Sequence, residues 1–453
     1  MKKLLLSIIA FGSAPFVNAQ SLVGDWNGSL NLGPQSLPLV LHISSANGEN
    51  ECTLDSPNQG AKGISATIDF LSTDSIALRV PAIGAAFSGK LEGGEIKGNF
   101  SQSGMQLALQ LKPGDFVRER SQTPKQPLLY PIEEVTFENE TDHAVLSGTL
   151  SYPMTYMMQQ NVPVVLMVTG SGQQNRDEEL MDHKPFAVLA DFLAKMGIAS
   201  LRYDDRGCGQ STGDLTHATS HTFMTDALAG IKYLKSTGKF GKIGVLGHSE
   251  GGTIAFMAAG ECPEDIDFIV SLAGSALQGN KVLLQQNEIL LSANPGTALL
   301  SADYCKVLDK VFNHLIAGKA VDNAQEIVQQ YCTEAQVSLP VPAQHNLQTV
   351  LTTSNPWLNY FLAYDPAQAI TNTTCPVMAI NGDKDTQVDA HANLDALRSL
   401  LPGNERHLIK SYTGLNHLFQ HCKTGFVGEY GMIDETISPE VLNDIAEWIL
   451  SVK

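Results

Sequence analysis

The sequence predicts a two-part protein of α/β class. A small all-β domain comes first, followed by a doubly wound, mostly parallel sheet with helices on both faces and a helical insertion. Three patterns carry that expectation. Apolar residues alternate with period two through residues 20–115, as in strands that bury one face. From residue 132, continuous apolar runs alternate with stretches of helical periodicity, as strands buried on both faces and crossover helices require. Between Ala273 and Cys375, helical patterns follow one another without an apolar run of strand type.

Composition fits a globular chain of more than one domain: 453 residues, 43% hydrophobic and 17% charged. The formal net charge is −18, which repels phosphate backbones and argues against a nucleic-acid partner. The N-terminus reads Met1-Lys2-Lys3, an apolar centre Leu4–Phe11, then Val17-Asn18-Ala19. That is the layout of a secretory signal peptide (residues 1–19), with cleavage expected after Ala19 and export to the periplasm or beyond. Its loss would remove Lys2 and Lys3 and make the chain more acidic. The apolar centre is too short to span a bilayer, and no later run reaches the ~18 apolar residues a membrane helix needs, so no stable span is expected. No cysteine near Ala19 points to a lipid anchor. Seven cysteines (52, 208, 262, 305, 332, 375 and 422) include no C-x-x-C pair, which excludes a zinc ribbon or thioredoxin motif. Export permits disulfides. Cys305 with Cys332 is the most plausible pair, an odd count leaves one thiol over, and the spacing leaves the pairing open.

In the first domain, Leu37, Leu39, Leu41 and Ile43 alternate with other residues, as do Ile64 to Phe70, Ile76 to Val80 and Met105 to Leu111. Asn47-Gly48, Gly93-Gly94 and Ser103-Gly104 supply the turns. The pattern is an antiparallel meander of about seven or eight strands, closing as a small barrel or a sandwich. Leu22–Gly28 resembles the start of lipocalin-like barrels. No catalytic constellation occurs here, and a structural or docking module is expected. Charge and proline over residues 116–131 (Arg118, Glu119, Arg120, Pro124, Lys125, Pro127, Pro131) predict a stiff linker.

Residues 132–453 then supply the α/β domain. Ile132–Phe137 and Ala144–Tyr152 read as an antiparallel hairpin, and Val162–Val168 as a strand buried on both faces. A helix is expected over 186–195, a strand over 198–203 and a helix over 222–235. Ile243–Leu246 reads as a strand with a helix over 253–259 behind it. Later strands are expected at 268–272, 377–380 and 407–412, and a last helix at 441–449. The helical interval, about 275–372, reads as a cap inserted between two strands, with helices over 299–316 and 323–331.

The chemistry centres on Gly247-His248-Ser249-Glu250-Gly251, a G-x-S-x-G match. Such a pentapeptide turns sharply from strand to helix and exposes the serine at the tip. A second match, Gly209-Gln210-Ser211-Thr212-Gly213, lies in a loop with no apolar helix behind it. Ser249 has both flanks and is the candidate nucleophile; Ser211 reads as a loop residue. A serine hydroxyl needs a base and a group to orient that base. Downstream, Asn381-Gly382-Asp383-Lys384-Asp385 follows a strand. Asp385 is the better acid, three residues after Gly382 and three before Val388, and Asp383 reads as a turn aspartate. His417 follows a later strand in Leu415-Asn416-His417 and is the candidate base. His421 at i+4 invites a zinc reading, but Leu418 stands where a zincin helix needs glutamate. For a tetrahedral oxyanion, the expected donors are the Glu250 N–H and an N–H of Ser171 or Gly172 in the loop Thr169–Gln174.

Together these stretches, with Thr169–Asp177 and Arg202-Tyr-Asp-Asp-Arg-Gly-Cys-Gly-Gln-Ser-Thr-Gly213, resemble the serine α/β-hydrolase family, in its esterase and serine-aminopeptidase-like branch. The resemblance covers residues 132–453 and not the β domain. It implies the α/β-hydrolase fold, a doubly wound sheet with a cap after the sixth strand. It also implies that Asp205 and Arg206 hold loops by ion pairs, and it leaves Arg176 and Asp177 as residues that could face substrate. The family often places histidine before the oxyanion-loop glycine, where this chain has Thr169. The implied activity is hydrolysis of small-molecule carboxylic esters of small acyl groups by a Ser249–His417–Asp385 acyl-enzyme mechanism, with no metal or organic cofactor. An exo-acting serine aminopeptidase is the alternative within hydrolases, and a catalytically inactive binding protein the alternative outside them. Oligomeric state is not encoded in any of these motifs.

Overall fold

The computed structural model of the chain describes residues 22–452, apart from 33–34, 47–48, 60, 117, 119 and 159–160. The expected export segment 1–19 and the Asn47-Gly48 turn lie outside the described residues. The chain divides into two compact units, Met1–Arg118 and Glu119–Lys453.

Among the described residues, the first unit is a closed antiparallel barrel. Its strands are β1 (Gly24–Leu32), β2 (Gln35–Ala46), β3 (Glu49–Ser56), β4 (Ala61–Leu71), β5 (Ser75–Val80), β6 (Ala85–Glu92), β7 (Glu95–Gln102) and β8 (Met105–Pro113). Each pairs with the next, and β8 returns to β1 with Trp26 opposite Pro113 and Gly28 opposite Leu111. Alternation predicts the strands but cannot distinguish barrel from sandwich; the first-to-last pairing decides it. Trp26, Leu41, Leu54, Leu78, Ile96 and Leu111 point inward and are buried in one cluster. A barrel of eight strands is just wide enough for side chains to fill it, and here they do. Closure also leaves no open sheet edge.

The second unit is built on a sheet in the order β16-β15-β14-β13-β11-β12-β10-β9. The antiparallel hairpin β9 (Ile132–Asn139) and β10 (Ala144–Ser151) forms one end. The strands β11 (Val164–Val168), β12 (Ala199–Tyr203), β13 (Ile243–His248), β14 (Phe268–Leu272), β15 (Val377–Gly382) and β16 (Leu408–Tyr412) run parallel. Period-two geometry divides the side chains of β11 between two cores. Val164, Leu166 and Val168 join the core that holds Met224 and Ile231 of α2 (Ser220–Thr237), Ile254 of α3 (Glu250–Glu261) and Leu394 of α10 (Ala390–Leu400). Val165 and Met167 join the other, against Phe186 and Leu189 of α1 (Pro185–Lys195) and Ile445 and Ile449 of α11 (Pro439–Val452).

The cap lies between β14 and β15. It comprises α4 (Gly279–Ala293), α5 (Ser301–Ile316), α6 (Ala324–Glu334), α7 (Val341–Thr352), α8 (Pro356–Ala363) and α9 (Ala367–Asn372). Val307, Val311, Val328, Leu347, Leu351 and Leu362 give it a core of its own. Cys305 and Cys332 are both free thiols, as are the other cysteines, so the disulfide expected between them is absent here. Cys332 is buried in the cap core, while Cys305 sits one residue off the buried stripe of Tyr304, Leu308 and Val311.

Residues expected to form a linker are partly fastened down. The Arg120 guanidinium donates to the carbonyls of Ile433 (2.7 Å), Met181 (2.8 Å) and Gly431 (2.9 Å). Gln122 donates to the Ile437 carbonyl at 2.8 Å. Composition reveals the prolines and charges of this stretch but not partners three hundred residues away.

Candidate active site

Ser249 stands between β13 and α3 with φ 53° and ψ −120°, a backbone geometry that a residue with a Cβ adopts only under strain. The surroundings impose it. A Cβ on Gly247 would lie 2.0 Å from the Gly251 carbonyl oxygen, and one on Gly251 would lie 2.1 Å from that of Val168. The turn closes only with glycine at both places. Ser249 N–H donates to the Leu272 carbonyl at 2.8 Å, pinning the elbow to β14. The Ser249 hydroxyl does not cap the helix. It faces a cavity of about 300 Å³ whose walls include Gly170, Ser171, Gly172, Glu178 and His417.

His417 follows β16 and its side chain is almost wholly buried. Its Nδ1 donates to Asp385 Oδ2 at 2.6 Å. The other Asp385 oxygen accepts the backbone N–H groups of Gln387 (2.7 Å) and Val388 (3.0 Å). The structure therefore brings Asp385 to His417 and lines one cavity with His417 and Ser249. Asp383 instead accepts the Gly414 N–H at 2.7 Å and holds a turn. His421 is largely exposed and pairs with Glu435 at 2.8 Å. Ser211 is buried in its loop, where its hydroxyl donates to the Asp204 carbonyl at 2.7 Å.

Of the expected oxyanion donors, Glu250 opens α3, where the first N–H groups of a helix have no partner within it. Ser171 and Gly172 both line the cavity and are exposed. Gly170 lies deeper, its Cβ position 3.1 Å from that of Ser249. Its N–H is already engaged, donating to Glu178 Oε1 at 3.0 Å.

Three supporting residues have other roles than the sequence suggests. Arg206 does form the expected ion pair, with Nε and Nη2 reaching Asp226 at 2.8 and 2.6 Å. Asp205 forms none. It accepts the Thr169 hydroxyl at 2.8 Å and the Gln174 N–H at 2.9 Å, clamping both ends of the oxyanion loop. Burial, aided by repulsion from Glu178 and Asp226, pushes its carboxyl up to about 8. Arg176 turns away from the cavity to Asp204, Glu134, Thr149 and Ser147, and Asp177 pairs with Arg202.

Two further groups meet only in the fold. The Glu250 side chain is buried, accepts the Ser220 hydroxyl at 2.5 Å and receives the Trp357 indole N–H at 3.0 and 3.1 Å. Burial raises its pKa, an effect those donors partly offset. His248 is buried against Glu178 beside His417. Nothing local distinguishes Glu178 from Asp177 and Glu179 in the sequence, and only the fold selects it.

Comparison with known proteins agrees with this architecture. The family described as Serine aminopeptidase, S33, matches residues 182–421, just over half of the chain and a span that includes Ser249, Asp385 and His417. Esterase EstD of Thermotoga maritima is 25% identical over 288 residues, 64% of this chain. The match spans 62% of that relative's length, less than two thirds of it. Among solved structures, the chain is similar to Est1E from Butyrivibrio proteoclasticus with ferulic acid bound (15% identity, TM-score 0.43, 70% of this chain and 98% of that one). It is also similar to the Pyrococcus furiosus esterase Pf2001 (15% identity, TM-score 0.43, 75% and 99%). At those scores and identities neither bears on fold or chemistry. The ordered motifs, the sheet with its cap and the S33 match lead to one assignment: the chain belongs to the serine aminopeptidase S33 family and has the α/β-hydrolase fold.

Proposed function

We propose that the protein is a serine hydrolase that cleaves carboxylic esters of small acyl groups through a covalent acyl-enzyme on Ser249. The observation that carries the proposal is the 2.6 Å His417–Asp385 hydrogen bond at the wall of the cavity that Ser249 faces. Asp385 fixes Nδ1 of His417 as the protonated nitrogen, which leaves Nε2 to take the Ser249 proton. As Ser249 attacks the ester carbonyl, negative charge moves to the carbonyl oxygen. The Glu250 N–H and an N–H of Ser171 or Gly172 would hold that charge. The His417 imidazolium returns the proton to the departing alcohol. Water, deprotonated by the same imidazole, then releases the acid. No step calls on a metal or organic cofactor.

A cavity of about 300 Å³ favours small acyl groups. The family description favours a second reading, release of an N-terminal amino acid from a peptide. Aryl acetates and aminoacyl anilides, compared at equal concentration, separate the two. Ser249→Ala is expected to lower turnover of aryl acetates by about 10⁴-fold or more and to abolish labelling by a fluorophosphonate; full activity in that variant would overturn the mechanism. Residues 1–19 are proposed as an export signal, tested by N-terminal sequencing of the protein recovered from the native cell.

A further inference from the structure

Glu178 and His248 form an ion pair that the proposed reaction does not use. Glu178 Oε1 accepts the Gly170 N–H at 3.0 Å and the His248 Nδ1–H at 2.8 Å. On its other side, His248 Nε2 lies 3.0 Å from the His417 carbonyl oxygen. Both ring nitrogens thus face oxygens that can only accept, so both carry protons and His248 is an imidazolium. Burial alone would drive off that charge, but the Glu178 carboxylate, the His417 carbonyl and Asp385 together outweigh it.

The connections matter more than the charge itself. His248 is the residue before Ser249, a Cβ placed on Gly170 would come within 3.1 Å of that of Ser249, and the His417 carbonyl belongs to the base. One ion pair therefore ties the elbow, the oxyanion loop and the histidine loop together. We propose that Glu178 and His248 act as a positioning pair that holds the oxyanion loop and His417 in register with Ser249. The inference rests on the acyl-enzyme reading above.

Two more observations argue for a role in the reaction. Glu178 keeps a left-handed backbone at φ 53°, and among the described residues its buried Oε2 has no hydrogen-bond partner. A pair kept for stability alone is readily replaced by apolar residues of like volume, so strain and an unsatisfied oxygen point to another use. The second is electrostatic. The rings of His248 and His417 are 4.8 Å apart. When His417 accepts the serine proton, two imidazolium rings stand side by side, and the Glu178 carboxylate offsets their repulsion.

The test uses the full chain and an aryl acetate. Glu178→Gln keeps an oxygen for Gly170 and His248 but removes the charge, and kcat is expected to fall about tenfold. Glu178→Ala and His248→Gln remove the tether, and kcat is expected to fall about a hundredfold. In each variant KM should stay within about threefold of wild type, because only alignment and transition-state charge are touched. The Glu178→Ala/His248→Gln double variant should lose no more than the worse single one, since both belong to one unit. Circular dichroism and thermal unfolding of Glu178→Gln report whether the fold is intact. A kcat within twofold of wild type in the folded Glu178→Gln variant, a rise in KM alone, or multiplicative losses in the double variant would each overturn the proposal. Ser249→Ala, run in parallel, separates this failure from that of the acyl-enzyme reading. If Ser249→Ala is inactive and the folded Glu178→Gln is not impaired, only the positioning role falls.

Discussion

Asp205 shows how a side chain can matter without touching substrate. Its carboxyl holds Thr169 and Gln174 at the two ends of the oxyanion loop, and burial pushes its pKa up to about 8. The folded state therefore binds a proton on Asp205 at pH values where the unfolded chain has released it. Its contribution to stability is fully present below about pH 4, the unfolded value, and is lost as pH rises through about 8. Asp205→Asn cannot titrate. The wild type should exceed the variant in stability by more at about pH 5 than at about pH 9, as read by urea unfolding at both. An equal gap at both would show that Asp205 does not titrate in this window. Ser249, Asp385 and His417 were legible because their order and flanking strands are local properties of the chain. Asp205 looked like half of an ion pair because its neighbour Arg206 is one. Its actual partners come from another loop.

Elements are legible where one periodicity runs without competition. The strands of the parallel sheet, being buried on both faces, stand out as unbroken apolar runs. Helix ends were less legible: α3 begins at Glu250, directly after the nucleophile, rather than at Thr253. Glu250, Gly251 and Gly252 look like turn residues, yet the elbow forces them into the first helical turn. The cap was legible as a helical interval, but not its attachment to the site. Trp357 of α8 donates its indole N–H to the buried Glu250 carboxyl, one residue after Ser249. Trp357→Phe keeps the ring and deletes the donor, leaving that carboxyl with the Ser220 hydroxyl. The expected cost is about 1–3 kcal/mol of stability, visible as a lower urea midpoint, together with faster proteolysis of the cap. Unchanged cleavage and midpoint would mean that the indole bond does not hold the cap.

The whole chain is two compact units, each with its own apolar core. The residues proposed for catalysis and the walls of the cavity they share belong to the second. A fragment covering residues 119–453 is therefore expected to fold and to hydrolyse aryl acetates with kcat/KM within about threefold of the full chain. A fragment that folds but loses activity would assign the barrel a part in catalysis. The barrel interior is filled with side chains. Among the described residues no helix is long and apolar enough to cross a membrane.

Local order along the chain was enough for the class of fold, the position of the cap and the choice of Ser249, Asp385 and His417 as the proposed catalytic set. Each depends on periodicity, turn chemistry or spacing, which neighbouring residues express directly. The closure of the barrel, the free state of Cys305 and Cys332, and the roles of Asp205, Glu178, His248 and Trp357 belong to the tertiary structure. Each of these turns on which distant groups meet in a buried space. Burial gives such a meeting its chemical consequence: it raises the Asp205 carboxyl, and it opposes a charge on His248 that the Glu178 carboxylate and its neighbours restore.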